Sequence, residues 1–337
     1  MTTAPRRATL DSVAVRAGVS KQTVANVMYS PDIVRPETAS RVREAITALG
    51  YRPHRAAQQL RTKRSRVLAL RVHPDFGDAV FDRFLHALTV AAGRIDYRVM
   101  LYTADSDEAE MTAQEELLDR WDIDGFILTG THPGDPRTAY LAGAAVPCVT
   151  FGRPWDDSGH HPWVDVDGFA GTKAATEHLL ALGHTRVGFL GWPQGSAVGD
   201  DRLAGWAAAM TAAGLYLGEP ARALNDVIKA KAVVRNMLER EQPTAIVCAS
   251  DILALGAAAE ITAAGLRVGA DVAVVGFDDT AMGEATGLTS VAQPLAEVAT
   301  HVVRMIADLL GGDQREAPEQ VVLPPRLVVR SSSGPPP

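Results

Sequence analysis

Two cysteines in 337 residues, Cys148 and Cys248, exclude a disulfide-stapled framework. Each lies inside an apolar run, VPCVTF and AIVCAS, and reads as a buried, reduced thiol. No apolar stretch approaches the ~18 residues that span a bilayer. The opening MTTAPRRATL has arginines but no apolar core behind them, so it does not read as a secretory signal, and the cytoplasm is the expected compartment. The nucleotide loops GxxxxGK[ST] and GxGxxG are missing, and so is the GxSxG elbow. Asp165 and Asp167 in VDVDG, and the adjacent His160 and His161, lack the partners that a metal site needs. No enzyme activity, cofactor or metal is expected.

Aromatic residues are scarce, at 6%, which makes their placement informative. Trp155, Trp163 and Trp192 all fall in loops that follow predicted strands or join segments. Flat indole faces in such loops suit the apolar faces of sugar rings. Trp206, inside the helical pattern LAGW, reads as core.

The net charge of −7 conceals an asymmetry. Residues 1–66 hold 13 Lys and Arg against 4 Asp and Glu, a net of +9, while the remainder holds 20 against 36, a net of −16. One end of the chain attracts polyanions and the rest repels them.

The basic end is patterned as short helices. Thr9 caps a helix with Leu10, Val13, Ala14 and Ala17 on one face, and Gly18 stops it. Ser20 caps a second, KQTVANVM, with Val24 and Val27 inward and Lys21, Gln22 and Asn26 outward. Two helices about a tight glycine turn make a helix-turn-helix. Gln and Asn can pair with adenine, and Lys can donate to guanine. A third helix begins near Pro36, carries Ala39, Val42, Ile46 and Leu49 as its stripe, and ends at Gly50.

From Val67 onward, short apolar runs alternate with helical segments: VLALRV (67–72), RVMLYT (98–103), GFILTG (125–130), VPCVTF (146–151), RVGFLG (186–191), TAIVCAS (244–250) and VAVVGF (272–277). Such alternation predicts α/β architecture, with parallel sheets covered by helices. Ligands of these folds bind at the carboxyl ends of the strands, here in a cleft between two lobes.

The segments ATLDSVAVRAGVSKQTVANVM, RPETASRVREAITALGYRPHRAAQQL, VDVDGFAGTKAATEHLLALGHTRVGFLG, DDRLAGW and GFDD together resemble the lac repressor (LacI/GalR) family over roughly residues 9–331. The resemblance implies an all-α helix-turn-helix head over residues 1–64, including a hinge helix at 54–61, and a two-lobed, periplasmic-binding-protein-like body over 65–331. The lobes would be 66–163 with 293–322, and 165–290 with 326–331. The chain would cross between them near 163–166, 290–293 and 322–326. The tail at 332–337 is expected to be disordered.

The implied partners are a palindromic double-stranded DNA operator, a second copy of the chain, and a small sugar or oligosaccharide effector. The implied DNA contacts are Thr9, Ser20, Lys21, Gln22, Thr23, Asn26, Tyr29, Arg52, His54, Arg55, Ala57, Gln58 and Leu60, with Leu60 as the wedge that unstacks the operator centre. Ala25 and Asn26 stand where the family has Ser-Arg, and Tyr29 where it has Asn, so base preference does not transfer.

For the effector, the resemblance nominates Arg202, Asp278, Asp167 and Ser250. Position after a predicted strand adds Phe76, Thr129, Arg153 and Trp192. Four of these have plainer readings: Asp167 and Asp278 as helix caps, Arg153 as a lobe-to-lobe ion pair, and Phe76 as core. Relatives place an aromatic near 224–228, where this chain has NDVI, which implies a wider pocket.

Overall fold

The computed structural model describes residues 8–51, 64–72, 79–156, 160–312 and 317–334. It divides into two compact units, one ending at Ser65 and the other starting at Arg66.

In the first unit, α1 (Leu10–Ala17) starts in a capping box in which the Thr9 and Ser12 side chains each take the other's backbone N–H. Gly18, at φ 64°, turns the chain in the left-handed conformation that glycine adopts without strain. In α2 (Lys21–Tyr29), the Ser20 hydroxyl accepts from Thr23 N at 3.1 Å. The third helix, α3 (Pro36–Leu49), has Pro at its first position and a left-handed Gly50 behind it. Val13, Ala14, Ala17, Val24, Val27, Ala39, Val42 and Ala45 form a small core, with Ile46 and Leu49 packed at its edge.

The second unit holds two six-stranded sheets. Strands β1 (Val67–Val72), β2 (Arg98–Thr103), β3 (Gly125–Thr129), β4 (Cys148–Phe151), β5 (Trp163–Val166) and β11 (Gln320–Leu323) make the first lobe, in the order β11-β5-β4-β3-β1-β2. Strands β6 (Val187–Gly191), β7 (Ala221–Arg222), β8 (Ala245–Cys248), β9 (Ala273–Asp278), β10 (Thr289–Ala292) and β12 (Arg326–Val328) make the second, in the order β12-β10-β9-β8-β6-β7. Every pairing among the described strands is parallel except β10 with β12. The predicted runs of the first lobe become β1 to β4, and those of the second become β6, β8 and β9, because strands buried on both faces leave an unbroken apolar signature.

Two expectations are corrected. Residues 163–166 and 290–292, read as crossings, lie instead in strands β5 and β10, each paired on both sides. A strand of four residues carries too short a pattern to be seen in sequence. The chain therefore passes to the second lobe only after Val166 and returns after Ala292.

Around the first sheet lie α4 (Ala79–Arg94), α5 (Asp107–Trp121), α6 (Arg137–Gly143) and α12 (Leu295–Gly311). Around the second lie α7 (Gly168–Ala181), α8 (Ala197–Ala212), α9 (Val227–Arg240), α10 (Asp251–Ala263) and α11 (Ala281–Ala285). Helices α7 and α8 pack so closely that a Cβ on Gly205 would stand 2.2 Å from Phe169 O. Trp206 beside it is core, with its indole N–H donating to Val187 O at 3.1 Å. Both cysteines are buried and unpaired, and burial pushes the Cys148 thiol up to about 12.

The second correction concerns residues 332–334 of the tail, while 335–337 lie outside the described residues. Ser331–Ser333 form a 3-10 turn, with Ser332 and Ser333 buried. Ser332 Oγ donates to Val274 O at 2.6 Å and accepts from Thr289 N at 2.8 Å. His178 bonds Ser333 Oγ at 3.0 Å, and His184 bonds Gly334 O at 2.9 Å. Hydroxyls saturating the end of a sheet explain why a polar, low-complexity segment packs.

Deleting 331–337 leaves Thr289 N and Val274 O without partners, at about 1–3 kcal/mol each. At roughly 2–4 °C per kcal/mol for a body of this size, the melting temperature is expected to fall by about 5 °C or more. An unchanged melting curve would show that the clasp contributes nothing. Burial also lowers the pKa of His178, so the unfolded chain binds that proton more tightly. Its contribution to stability is complete above about pH 6.5 and declines as the pH falls below it.

Candidate DNA-reading face and effector cleft

On α2, Lys21 and Gln22 are exposed and Thr23 and Asn26 are half-buried. Gln22 Nε2 donates to Asn26 Oδ1 at 3.0 Å, which holds the two amides side by side. Lys21 pairs with Asp11 at 2.6 Å, both well exposed, so its release to another anion costs at most about 1 kcal/mol. Thr9 and Ser20 serve as caps, Thr23 Oγ1 lies 2.9 Å from Ser20 Oγ, and Tyr29 closes the helix. Arg52, His54, Arg55, Ala57, Gln58 and Leu60, the hinge candidates, lie outside the described residues, as does Phe76.

In the body, the carboxyl ends of both parallel sheets deliver the nominated side chains. Arg202, near the start of α8, is 5% exposed. Its guanidinium carbon lies 3.6 Å from the Phe277 ring centre and 5.1 Å from that of Trp192. Nη1 donates to Ala249 O and sits 3.7 Å from Asp278 Oδ1. That carboxylate also accepts from Gln293 Nε2 at 2.8 Å. Asp278 is not a helix cap, because Thr280 caps α11. It ends β9 at φ 114°, a strained conformation of the kind found where side chains are held for function.

Other candidates are committed to the fold. Asp167 caps α7 by accepting from Ala170 N at 2.8 Å, as its plainer reading had it. Ser250 caps α10 and donates to Asn225 Oδ1 at 2.6 Å, so the NDVI segment supplies a polar partner in place of an aromatic. Thr129 ends β3, half-buried, with its carbonyl accepting from Arg137 at 3.2 Å.

Arg153 does join the lobes. It pairs with Asp165 of its own lobe and lies 4.0 Å from Asp201 of α8 in the other. Its guanidinium also sits 4.9 Å from the Trp155 ring centre, and Trp155 has φ 64°. Asp201 was not nominated from sequence. It accepts from Phe169 N at 2.9 Å, and burial pushes its pKa up although Arg153 opposes the shift. The buried indole N–H groups of Trp155, Trp163 and Trp192, and Arg153 Nη2, have no hydrogen-bond partner among the described residues. Buried donors without acceptors are rare, and they suit a ligand rich in oxygen.

A charge network beneath the β1–β3 rim also escaped sequence reading. Arg137 is fully buried and pairs with Glu110 at 2.7 Å and Asp135 at 2.6 Å. Arg71 reaches Glu110 at 2.8 Å, and the Tyr102 hydroxyl donates to it at 3.0 Å. Asp107, His132 and Asp135 are close enough to share an ion, but Arg137 already lies beside both carboxylates. His132 bonds Asp107 at 2.8 Å.

A helix-turn-helix head on a two-lobed, ligand-binding body defines a DNA-binding regulator under small-molecule control. The chain belongs to the LacI family. Residues 9–54 match the family model described as bacterial regulatory proteins, lacI family, and residues 176–333 match that of a periplasmic binding protein-like domain. The HTH-type transcriptional regulator CelR of Thermobifida fusca is 34% identical, with 97% of this chain and 98% of that one covered. The repressor CytR of Escherichia coli K12 is 27% identical over 97% of this chain and 96% of its own. Among solved structures, a CelR–cellobiose complex is similar at 32% identity and TM-score 0.73, covering 97% of this chain and 100% of that one. A lac repressor dimer bound to operator and the anti-inducer ONPF is similar at 29% identity and TM-score 0.84, covering 98% and 100%. No described helix is long and apolar enough to cross a membrane.

Proposed function

We propose that this chain is a homodimeric repressor whose hold on a palindromic operator is controlled by a neutral disaccharide or short oligosaccharide bound between the lobes. It would act in the cytoplasm, where the DNA is. The observation that carries the effector class is the Arg202 guanidinium held between Phe277 and Trp192 and facing Asp278. Rings, fork and carboxylate together recognise a flat-faced molecule with adjacent hydroxyls. Asp165, Asp201 and Asp278 outnumber Arg153 and Arg202 here, which disfavours phosphorylated or acidic sugars. The partnerless indole donors add support, and so does the relative solved with cellobiose. Contacts to the effector are assigned to Arg202, Asp278, Trp192, Trp155 and Arg153, while Asp167 and Ser250 shape the site from their caps.

On the DNA side, Gln22, Asn26 and Lys21 are assigned to base edges. The +9 head supplies the phosphate contacts that dominate affinity. Selection of operators from random duplex DNA with purified protein is expected to yield a palindrome. Binding is then expected to change with one neutral oligosaccharide and not with its phosphorylated form. Gln22→Ala should relax the preference at one position of each half-site by about 1–3 kcal/mol. An enriched site that responds to a sugar phosphate instead would overturn the effector class, and no enriched site at all would overturn the regulator.

A further inference from the structure

We infer that Arg83 couples the effector cleft to the relative position of the lobes, acting as a positioning residue that touches neither sugar nor DNA. This rests on the effector reading above. Asp278 and Asp279 follow β9 as consecutive non-glycine residues with positive φ, 114° and 51°. Such a turn persists only where its surroundings hold it. Most of the restraint comes from the second lobe. Arg330 pairs with Asp279 Oδ1 at 2.7 Å, Asp279 N donates to Ser290 Oγ at 3.0 Å, and Thr280 N donates to Asp251 at 2.7 Å.

One restraint comes from the other lobe. Arg83, on α4, donates through Nη1 to the carbonyl of Asp278 at 3.0 Å and to that of Asp279 at 2.8 Å. Asp278 is thus held on two sides. Its carboxylate meets Arg202 and Gln293 in the cleft, and its carbonyl meets a guanidinium from the opposite lobe. A ligand that moves the carboxylate rotates the same peptide that Arg83 grips. Lobe rotation must then break or re-form the Arg83 contacts. Room for the swing exists, since Arg83, Asp82, His86, Gln293 and Leu295 line a cavity of about 520 Å³. Two arrangements of one element, biased from both sides, are the physical requirement for coupling.

The test uses the full-length dimer with Arg83→Met, which keeps length and loses the donors, and Arg83→Lys. Effector affinity without DNA, and operator affinity without effector, are expected to stay within about threefold of the parent. The effector-induced change in operator affinity, ordinarily about 5–150-fold, is expected to shrink at least fivefold in the methionine variant and less in the lysine variant. A parallel measurement needs no sugar. Spin labels at Glu116→Cys in the first lobe and Glu239→Cys in the second, with one labelled chain per dimer, should report a broader interlobe distance distribution for Arg83→Met. An unchanged coupling ratio with an unchanged distribution overturns the inference. If the parent protein responds to no sugar, the effector reading fails, and the distance distribution alone decides the role of Arg83.

Discussion

Arg202→Met is expected to weaken effector binding at least about 100-fold, because two charge-assisted hydrogen bonds are worth about 1.5–3 kcal/mol each and every 1.4 kcal/mol is tenfold. The methionine keeps the volume between Phe277 and Trp192 and removes the fork. The Ala249 carbonyl loses this donor, and Asp278 loses the guanidinium 3.7 Å away while Gln293 still donates to it. Some stability is therefore lost as well, about 2 kcal/mol from the buried groups left unsatisfied. Arg202→Lys restores charge without the planar stacking and the paired donors, so it should recover less than a tenth of the lost affinity. Calorimetric titration with the effector, beside operator binding without it, separates the two consequences. Full effector affinity in the methionine variant would remove Arg202 from the site.

The second large effect is on stability. Arg137→Met breaks a fully buried pair with Glu110 and a partly buried one with Asp135, and leaves two carboxylates facing a thioether. Removing one partner of such a pair costs about 3–5 kcal/mol, since the survivor keeps its desolvation penalty. Arg71 and Tyr102 still serve Glu110, so the lower end of the range is expected. The melting temperature of the body should drop by roughly 10 °C on the usual 2–4 °C per kcal/mol. Adding Glu110→Gln to Arg137→Met should recover part of that loss by removing the stranded charge. A drop below about 2 °C in the single variant would show that the network is no more than a solvated surface cluster.

The sequence alone determined most of the local structure of this protein. Thr9, Gly18, Ser20, Pro36 and Gly50 punctuate the head helices where capping chemistry requires, and the apolar runs from Val67 to Phe277 mark the principal strands. The charge contrast between the two ends was equally legible, because net charge needs no coordinates. Arg202 and Asp278 were reachable only through the family resemblance of DDRLAGW and GFDD.

What the tertiary structure decided are pairings between residues far apart in the chain. Asp201 meets Arg153, Arg137 meets Glu110, and Arg83 meets the carbonyls beyond β9. In sequence each is an ordinary surface-type charge, and only tertiary packing, within the first lobe for Arg137 and between the lobes for Arg153 and Arg83, makes it buried or bridging. Ser250 and Asp167 went the opposite way, to caps, because a helix N-terminus beside them left backbone donors to satisfy. The serines of the tail likewise packed only because the second sheet ends at Val274 and Thr289 with backbone groups that hydroxyls can complete. Periodicity and caps act over a few residues and can be read along the chain. Buried charge and hydrogen-bond completion depend on which distant segments meet, and folding settles that.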